Sequence, residues 1–325
     1  MHRTWILWLS MLLTCGSVAA QQAPQRVWID TDIIFDKFRR DVDDGLALML
    51  AWQAPQLDIV GQSLVINVAH GEAVTRRLMG YLRPDDPLPL YRGADDASQR
   101  GQLTPAVVAM AAALQEGSLT LIALGPATNV ATLLQHYPQL ADSIERIVFC
   151  AGRRPGSHFQ VGDSERYLPD YNVEKDPEAF RQVLASKVPL LMAGFEPASD
   201  IYLSRQDLKP LKQNRHPGDR WIWRQLKDWL FAWRVAFGSK AGFIPFDTAT
   251  MGAVVAPQYF EVRRDVPIAL TTGPNDCRMV IDADTKPYLV VGPEVQSART
   301  CDYVTDTQAS YQAFLLAYLL RTHPE

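Results

Sequence analysis

Four aspartates near the start of the chain are the first residues that could do chemistry: Asp30 and Asp32 in "IDTD", and Asp43 and Asp44 in "DVDDGLALMLA". Crowding ionised carboxylates costs free energy unless a cation sits among them. Asp30 closes the apolar run "RVWID", and side chains two apart on a strand project to the same side, so Asp30 and Asp32 can converge at a strand end. Asp43 and Asp44 precede the run Leu46–Leu50 at a helix start, where free N–H groups and the helix dipole favour acids. For one pair alone, that local effect is a sufficient explanation. Two pairs meeting from a strand end and a helix start point instead to a bound cation. Oxygen donors in this number suit Ca²⁺, which takes about six to eight of them. No Cys/His spacing suggests zinc, and "DTDIIFDKFRRD" lacks the mid-loop glycine of an EF-hand. A phosphatase with a nucleophilic Asp at the strand end would account for "DTD" but not for the second pair.

The elements that must hold these residues alternate. Strand patterns fall at Val27–Asp30, Ile59–Ile66, Leu88–Arg92, Leu119–Leu124, Ile147–Ala151 and Pro189–Ala193, several of them continuous apolar runs, as in parallel strands covered on both faces. Helical patterns lie between them at Gly45–Gln53, Glu72–Tyr81, Thr104–Gln115, Ala127–His136 and Pro177–Ala185. This order predicts an α/β fold, a doubly wound and mostly parallel sheet with helices on both faces. Ligands of such sheets bind beyond the carboxyl ends of the strands. After Glu196 the pattern changes to consecutive helices, "LSRQDLKPLKQ" and "DRWIWRQLKDWLFAWRVAF". Short strands follow, "VPIALTT", "CRMVIDAD", "KPYLVVG" and "RTCDYVTD", read as an antiparallel edge or flap, with a last helix at Ala309–Arg321.

Residues 1–20 combine a basic start, an apolar stretch from Trp5 to Leu13 and small residues before Gln21, the pattern of a secretory signal peptide. "LLTC" resembles a lipoprotein cleavage box only loosely, because Thr14 is a poor residue before Cys15. The expectation is an exported protein, periplasmic or secreted, whose residues 21–325 form one domain with no membrane span. An apolar fraction of 47% supports a sizeable core, and a net charge of −4 argues against a nucleic-acid partner. Export permits disulfides. Cys277 and Cys301 flank neighbouring strand patterns and are the expected pair, while Cys150 in "IVFCAG" reads as a buried thiol.

With the acidic cluster placed, the chain resembles the nucleoside hydrolase family, the calcium-dependent, inosine/uridine-preferring N-ribohydrolases, as a divergent exported member. "IDTD…DVDDGLALMLA" is similar to the family's opening signature, with an insertion between the acid pairs. "LIALGPATNVATLL" (121–134), "VFCAG" followed by "DYNVEKDPEAF" (170–180), and "PFDTATMGAVVAP" (245–257) resemble later signatures in the same order. The resemblance implies calcium held by Asp32, Asp44, Asp247 and the Leu124 carbonyl, with Asp30 in support. It implies that Asp43, Asp170 and Asn172 contact the sugar. The implied reaction is hydrolysis of the N-glycosidic bond of a ribonucleoside or related N-riboside through an oxocarbenium-like sugar. Water oriented by the ion attacks, and Asp32 takes its proton. A non-catalytic, calcium-dependent nucleoside or sugar binder is the rival from another class. The sequence leaves nucleobase preference and homo-oligomerisation open.

Several positions depart from the pattern. Some relatives carry His immediately before the late Asp, where this chain has Phe246, so leaving-group protonation by that route is absent. "RGADDASQRGQLTP" replaces a His-Gly-containing loop, and "VINVAH" stands where a Gly-Asn is expected, making Asn67 a candidate sugar contact. His70 and His158 are the histidines placed to compensate; His136, His216 and His323 read as surface residues. Lys37, Arg39 and Arg40 in the insertion either offset the acids from a solvated loop or meet an anionic substrate. Trp229, Trp233 and Phe237 recur at four-residue spacing on one helical face. Such a stripe is ordinarily core. In relatives, aromatics from this region stack on the base, which makes Trp229 and Trp233 candidate base platforms.

Overall fold

The computed structural model describes residues 23–320 apart from Arg39 and Asp163. The expected signal peptide (residues 1–20, with Cys15), Arg39 and His323 therefore lie outside the described residues. Among those described, nine strands form one sheet in the order β3-β2-β1-β4-β5-β6-β9-β7-β8. The strands are β1 (Gln25–Thr31), β2 (Leu57–Leu64), β3 (Leu90–Arg92), β4 (Leu119–Ala123), β5 (Ile144–Phe149), β6 (Leu190–Met192), β7 (Phe260–Pro274), β8 (Thr285–Val291) and β9 (Thr300–Thr307). Strands β1 to β6 are mutually parallel where they pair, and β9 joins parallel to β6. β7 runs antiparallel to both β9 and β8. The mostly parallel α/β sheet with an antiparallel C-terminal edge is as expected.

Helices α1 (Asp43–Trp52), α2 (Val68–Leu82), α3 (Pro105–Glu116), α4 (Thr128–His136), α5 (Tyr171–Lys175) and α6 (Pro177–Ala185) fill the crossovers. They are followed by α7 (Phe195–Ala198), α8 (Lys209–Gln213), α9 (Pro217–Phe237), α10 (Phe246–Val255) and α11 (Ser310–Leu319). Local chemistry sets several boundaries. Thr104 and Asp176 accept from Val107 N and Ala179 N, capping α3 and α6, and each cap is followed by a proline at the first turn. α9 ends at Gly238, whose φ of 68° is the left-handed turn glycine adopts without steric cost. α1 is buried along its whole length because it packs against α10 and α11 as well as lying under the sheet's core residues.

Three expectations fail for physical reasons. "CRMVIDAD" is a turn closing the β7–β8 hairpin, not a strand. Its backbone is tied by the Asn275 side chain, which donates to the Ile281 and Ala283 carbonyls. Of "LSRQDLKPLKQ", only Lys209–Gln213 is helical. Cys277 and Cys301 are both free. Cys301 on β9 faces Val266 across the ladder, whereas Cys277 lies beyond Pro274, the far end of the same β7 strand.

Candidate active site

A cavity of about 540 Å³ opens beyond the carboxyl ends of β1 and β4, within the size range of small-molecule sites. Its carboxylate end is lined by Asp32, Asp41, Asp43, Asp44, Asp170 and Asp247. Asp32 follows β1 directly. Asp43 and Asp44 open α1, and Asp247 sits in the first turn of α10. Two helix N-termini thus meet here, and the Asp247 N–H donates to Asp43 Oδ2 at 3.4 Å. Asp44 accepts from the Thr31 hydroxyl. Asp32 lies close against the end of β4: a Cβ built on Gly125 would stand 2.8 Å from Asp32 Oδ1. Only glycine at 125 leaves that carboxylate where it is.

Asp43, Asp44 and Asp247 are buried, and each offers an oxygen within 4.8 Å of the others, a set that can hold a metal ion. Burial, joined by the charges of neighbouring aspartates, pushes Asp32, Asp43 and Asp247 well above the usual carboxylate range. Burial raises Asp44 to about 7 despite its Thr31 hydrogen bond. A cluster so hard to ionise on its own suits a hard cation, which would restore the charged forms. The donor chemistry therefore fits a hard, oxygen-seeking metal ion. This trio includes Asp43, expected at the sugar, and omits Asp30 and Asp32, although Asp32 lies near enough for its charge to raise Asp247. Asp30 is 2% exposed and does not line the cavity. Its Oδ1 accepts from Ser63 and Asn129, and burial raises it to about 6. From that position it cannot attack a substrate phosphorus, as an aspartyl phosphatase would require.

The expected sugar-side residues are brought to the same cavity. The Asn172 amide donates to the Leu124 carbonyl at 2.5 Å and to the Cys150 carbonyl at 2.8 Å. Leu124 O keeps a second lone pair. Asp170 caps α5, with Oδ1 accepting from Val173 N and Oδ2 from Gly152 N, so both oxygens serve the backbone in this structure. Asn67 lines the cavity from the N-terminus of α2, following Ile66, and both residues have positive φ, 58° and 51°. A β-branched residue there is strained, and the turn is held by Ile66 N–H to Ala94 O and Asn67 N–H to Asp95 O.

Aromatic side chains complete the lining. Trp229 and Trp233 both line the cavity, at 6.3 Å and edge-to-face, and the buried indole N–H groups of both have no hydrogen-bond partner. Trp233 is also core, packed on Phe237 and Phe243, so the stripe is at once core and cavity wall. Phe159, Phe195 and Phe246 form a cluster with ring centroids 4.6 to 6.4 Å apart. Neither candidate histidine lines the cavity. His70 Nε2 contacts the Phe35 carbonyl at 2.7 Å, and His158 Nδ1 contacts Asp276 Oδ2 at 2.8 Å. From the insertion, Arg40 lines the cavity and Lys37 does not.

Sequence reasoning missed Asp41, Tyr171, Phe159, Phe195, Met279 and Val280, all of which line the cavity. Asp41 is adjacent to the recognised pair in "DVDD" and could have been found. Met279 and Val280 sit on the mis-assigned hairpin turn. Cys150 is not simply buried in the core; it lines the cavity, and burial pushes its thiol up to about 12.

The sequence pattern of the inosine-uridine preferring nucleoside hydrolase family matches residues 27–310. Curated relatives named non-specific ribonucleoside hydrolase RihC are similar over 198 residues, at 30% identity in Salmonella paratyphi A and 31% in Salmonella typhi. These matches cover 52% of this chain and 63% of each relative, so the chain spans somewhat under two thirds of their length. Among solved structures, the plant nucleoside hydrolase PpNRh1 superposes with a TM-score of 0.69 at 19% identity, covering 92% of this chain and 98% of that one. A purine-preferring ribonucleoside hydrolase from Gardnerella vaginalis superposes with a TM-score of 0.70 at 17% identity, covering 91% and 98%. At such identities these two likenesses speak for the fold.

Proposed function

Because this chain belongs to the inosine-uridine preferring nucleoside hydrolase family, we propose that it hydrolyses the N-glycosidic bond of a ribonucleoside or related N-riboside. The observation that carries this reading is the convergence of Asp32, Asp43, Asp44 and Asp247, with Asn172 on the Leu124 carbonyl, in one cavity that aromatic side chains also line. Asp32, Asp44, Asp247 and the Leu124 carbonyl would hold calcium, with Asp43 beside them and Asp30 supporting Asp32 from outside the cavity. Bound there, the ion would polarise water and anchor the vicinal hydroxyls of ribose. Asp32 takes the proton of the attacking water. Asp43 and Asn172 orient the sugar hydroxyls, with Asp170 fixing the turn that presents Asn172. The carboxylates stabilise positive charge as it develops on the sugar ring. The base lies toward Trp229 and Trp233. Export to the periplasm or outside the cell is part of the proposal, and fractionation tests it.

The test is release of reducing sugar from ribonucleosides by the purified protein, with calcium and with chelator. Turnover should require calcium, and Asp44→Ala should abolish both calcium binding and turnover. Full activity in Asp44→Ala would overturn the site. Tight nucleoside binding without sugar release would mean a binder instead.

A further inference from the structure

Resting on the N-ribohydrolase reading, we propose that this site favours N-ribosides whose base departs without receiving a proton, above all ribosides of a positively charged pyridinium-type base, over purine nucleosides. In hydrolysis, water oxygen bonds to C1′ while the C1′–N bond breaks and its electron pair passes to the ring nitrogen. A purine leaves as an anion and needs a proton from somewhere. A pyridinium nitrogen begins positively charged and leaves neutral, so the only proton to place is the one water gives to Asp32.

Among the described residues, no histidine lines the cavity beside its aromatic side chains. Phe246 occupies the position next to Asp247, and its ring is packed with Phe159 and Phe195. All four described histidines are engaged elsewhere: His70 on Phe35 O, His136 on Gly101 O, His158 on Asp276 and His216 on Gly218 N–H. The indole N–H groups of Trp229 and Trp233 can donate hydrogen bonds but do not release protons at neutral pH. The hydroxyl of Tyr171 and the thiol of Cys150 lie with the acids, close enough for carboxylate charges to act on them. Both line the cavity beside those carboxylates.

The same surfaces suit a cation. A positively charged ring is attracted to aromatic faces, and the same cavity is lined by six aspartates. Two described arginines come near the aromatic lining. Arg153 sits 3.8 Å above Phe159 but does not line the cavity, and it is paired to Asp276 at 3.0 Å. Arg40 lines the cavity from the exposed insertion, where its charge acts on Tyr171 at the carboxylate end.

The experiment measures kcat/KM of the calcium-loaded protein on four probes: nicotinamide riboside, p-nitrophenyl β-D-ribofuranoside, inosine and uridine. General acid catalysis is worth about 10²–10⁴-fold, so the first two should exceed inosine and uridine by about 10²-fold or more. Phe246→His should raise the inosine to p-nitrophenyl riboside ratio at least about tenfold and add a basic-limb decline to the inosine pH profile. Inosine or uridine turned over within about tenfold of nicotinamide riboside would overturn the proposal. Two failures are distinguishable: if none of the four probes is cleaved, the ribohydrolase reading falls; if any is cleaved but nicotinamide riboside shows no advantage over inosine, this inference alone falls.

Discussion

Lys286→Met should destabilise the protein by about 3–5 kcal/mol, the cost of breaking a buried ion pair from one side. Lys286 is 1% exposed on β8, with its Nζ 2.6 Å from Glu174 and 2.7 Å from Asp276. Asp276 would keep Arg153 at 3.0 Å and His158 at 2.8 Å. Glu174 has no such reserve: its side chain is fully buried, and beyond Lys286 its Oε1 accepts only the Asp170 N–H. Burial already lifts Glu174 above its ordinary value, with Lys286 opposing that lift. Without Lys286 the rise grows. A carboxylate whose folded pKa lies above its unfolded one loses stability as pH rises through it, so the variant should regain stability as pH falls from 7 toward 5. Adding Glu174→Gln removes the stranded charge and should return about 2 kcal/mol at pH 7. Urea unfolding followed by tryptophan fluorescence, at pH 7 and pH 5, reads all three. A loss below about 1 kcal/mol, or a double variant weaker than Lys286→Met alone, would refute the argument. Because Glu174 braces the Asp170–Asn172 turn, Lys286→Met should also lower kcat/KM while leaving Asp43, Asp44 and Asp247 in place.

Two further outcomes follow from the geometry. Gly125→Ala should push Asp32 aside and cut turnover by about 10²-fold, since misplacing a reacting group by about 1 Å costs that much; an unchanged kcat with an unchanged circular dichroism spectrum would show that Asp32 is not where the chemistry happens. Burial alone would raise Asp276, but hydrogen bonds from Lys286 and His158 and the charge of Arg153 outweigh it and hold the group at about 2. Its contribution, about 2 kcal/mol, is complete above pH 4 and is lost as pH falls toward 2, so between pH 4 and 2.5 the wild-type urea midpoint should fall more steeply than that of Asp276→Asn.

Much of this protein was legible in its linear order. Alternating apolar runs and helical periods predicted the parallel sheet, because a strand covered on both faces must be apolar throughout and a crossover helix must be long enough to return. The acids at the end of β1 and the start of α1 were legible for the same reason: a strand end and the helix start that follows it are brought together by local chain geometry. Asp247 lies far along the chain and was reached only through resemblance to a known pattern. The rest required the tertiary structure. Whether a histidine reaches the base depends on which loops face the cavity, and His70 and His158 sit in loops that turn toward other partners. The hairpin turn carrying Met279 and Val280 reaches the cavity because β7 inserts between β9 and the edge strand β8, a pairing that no local pattern announces. The Cys277–Cys301 expectation failed on the same point, since adjacency in sequence did not say which end of β7 each cysteine would meet. Lys286 and Glu174, 112 residues apart, look like ordinary surface charges in sequence. Only the packing of β8 against α5 removes them from water and makes each depend on the other.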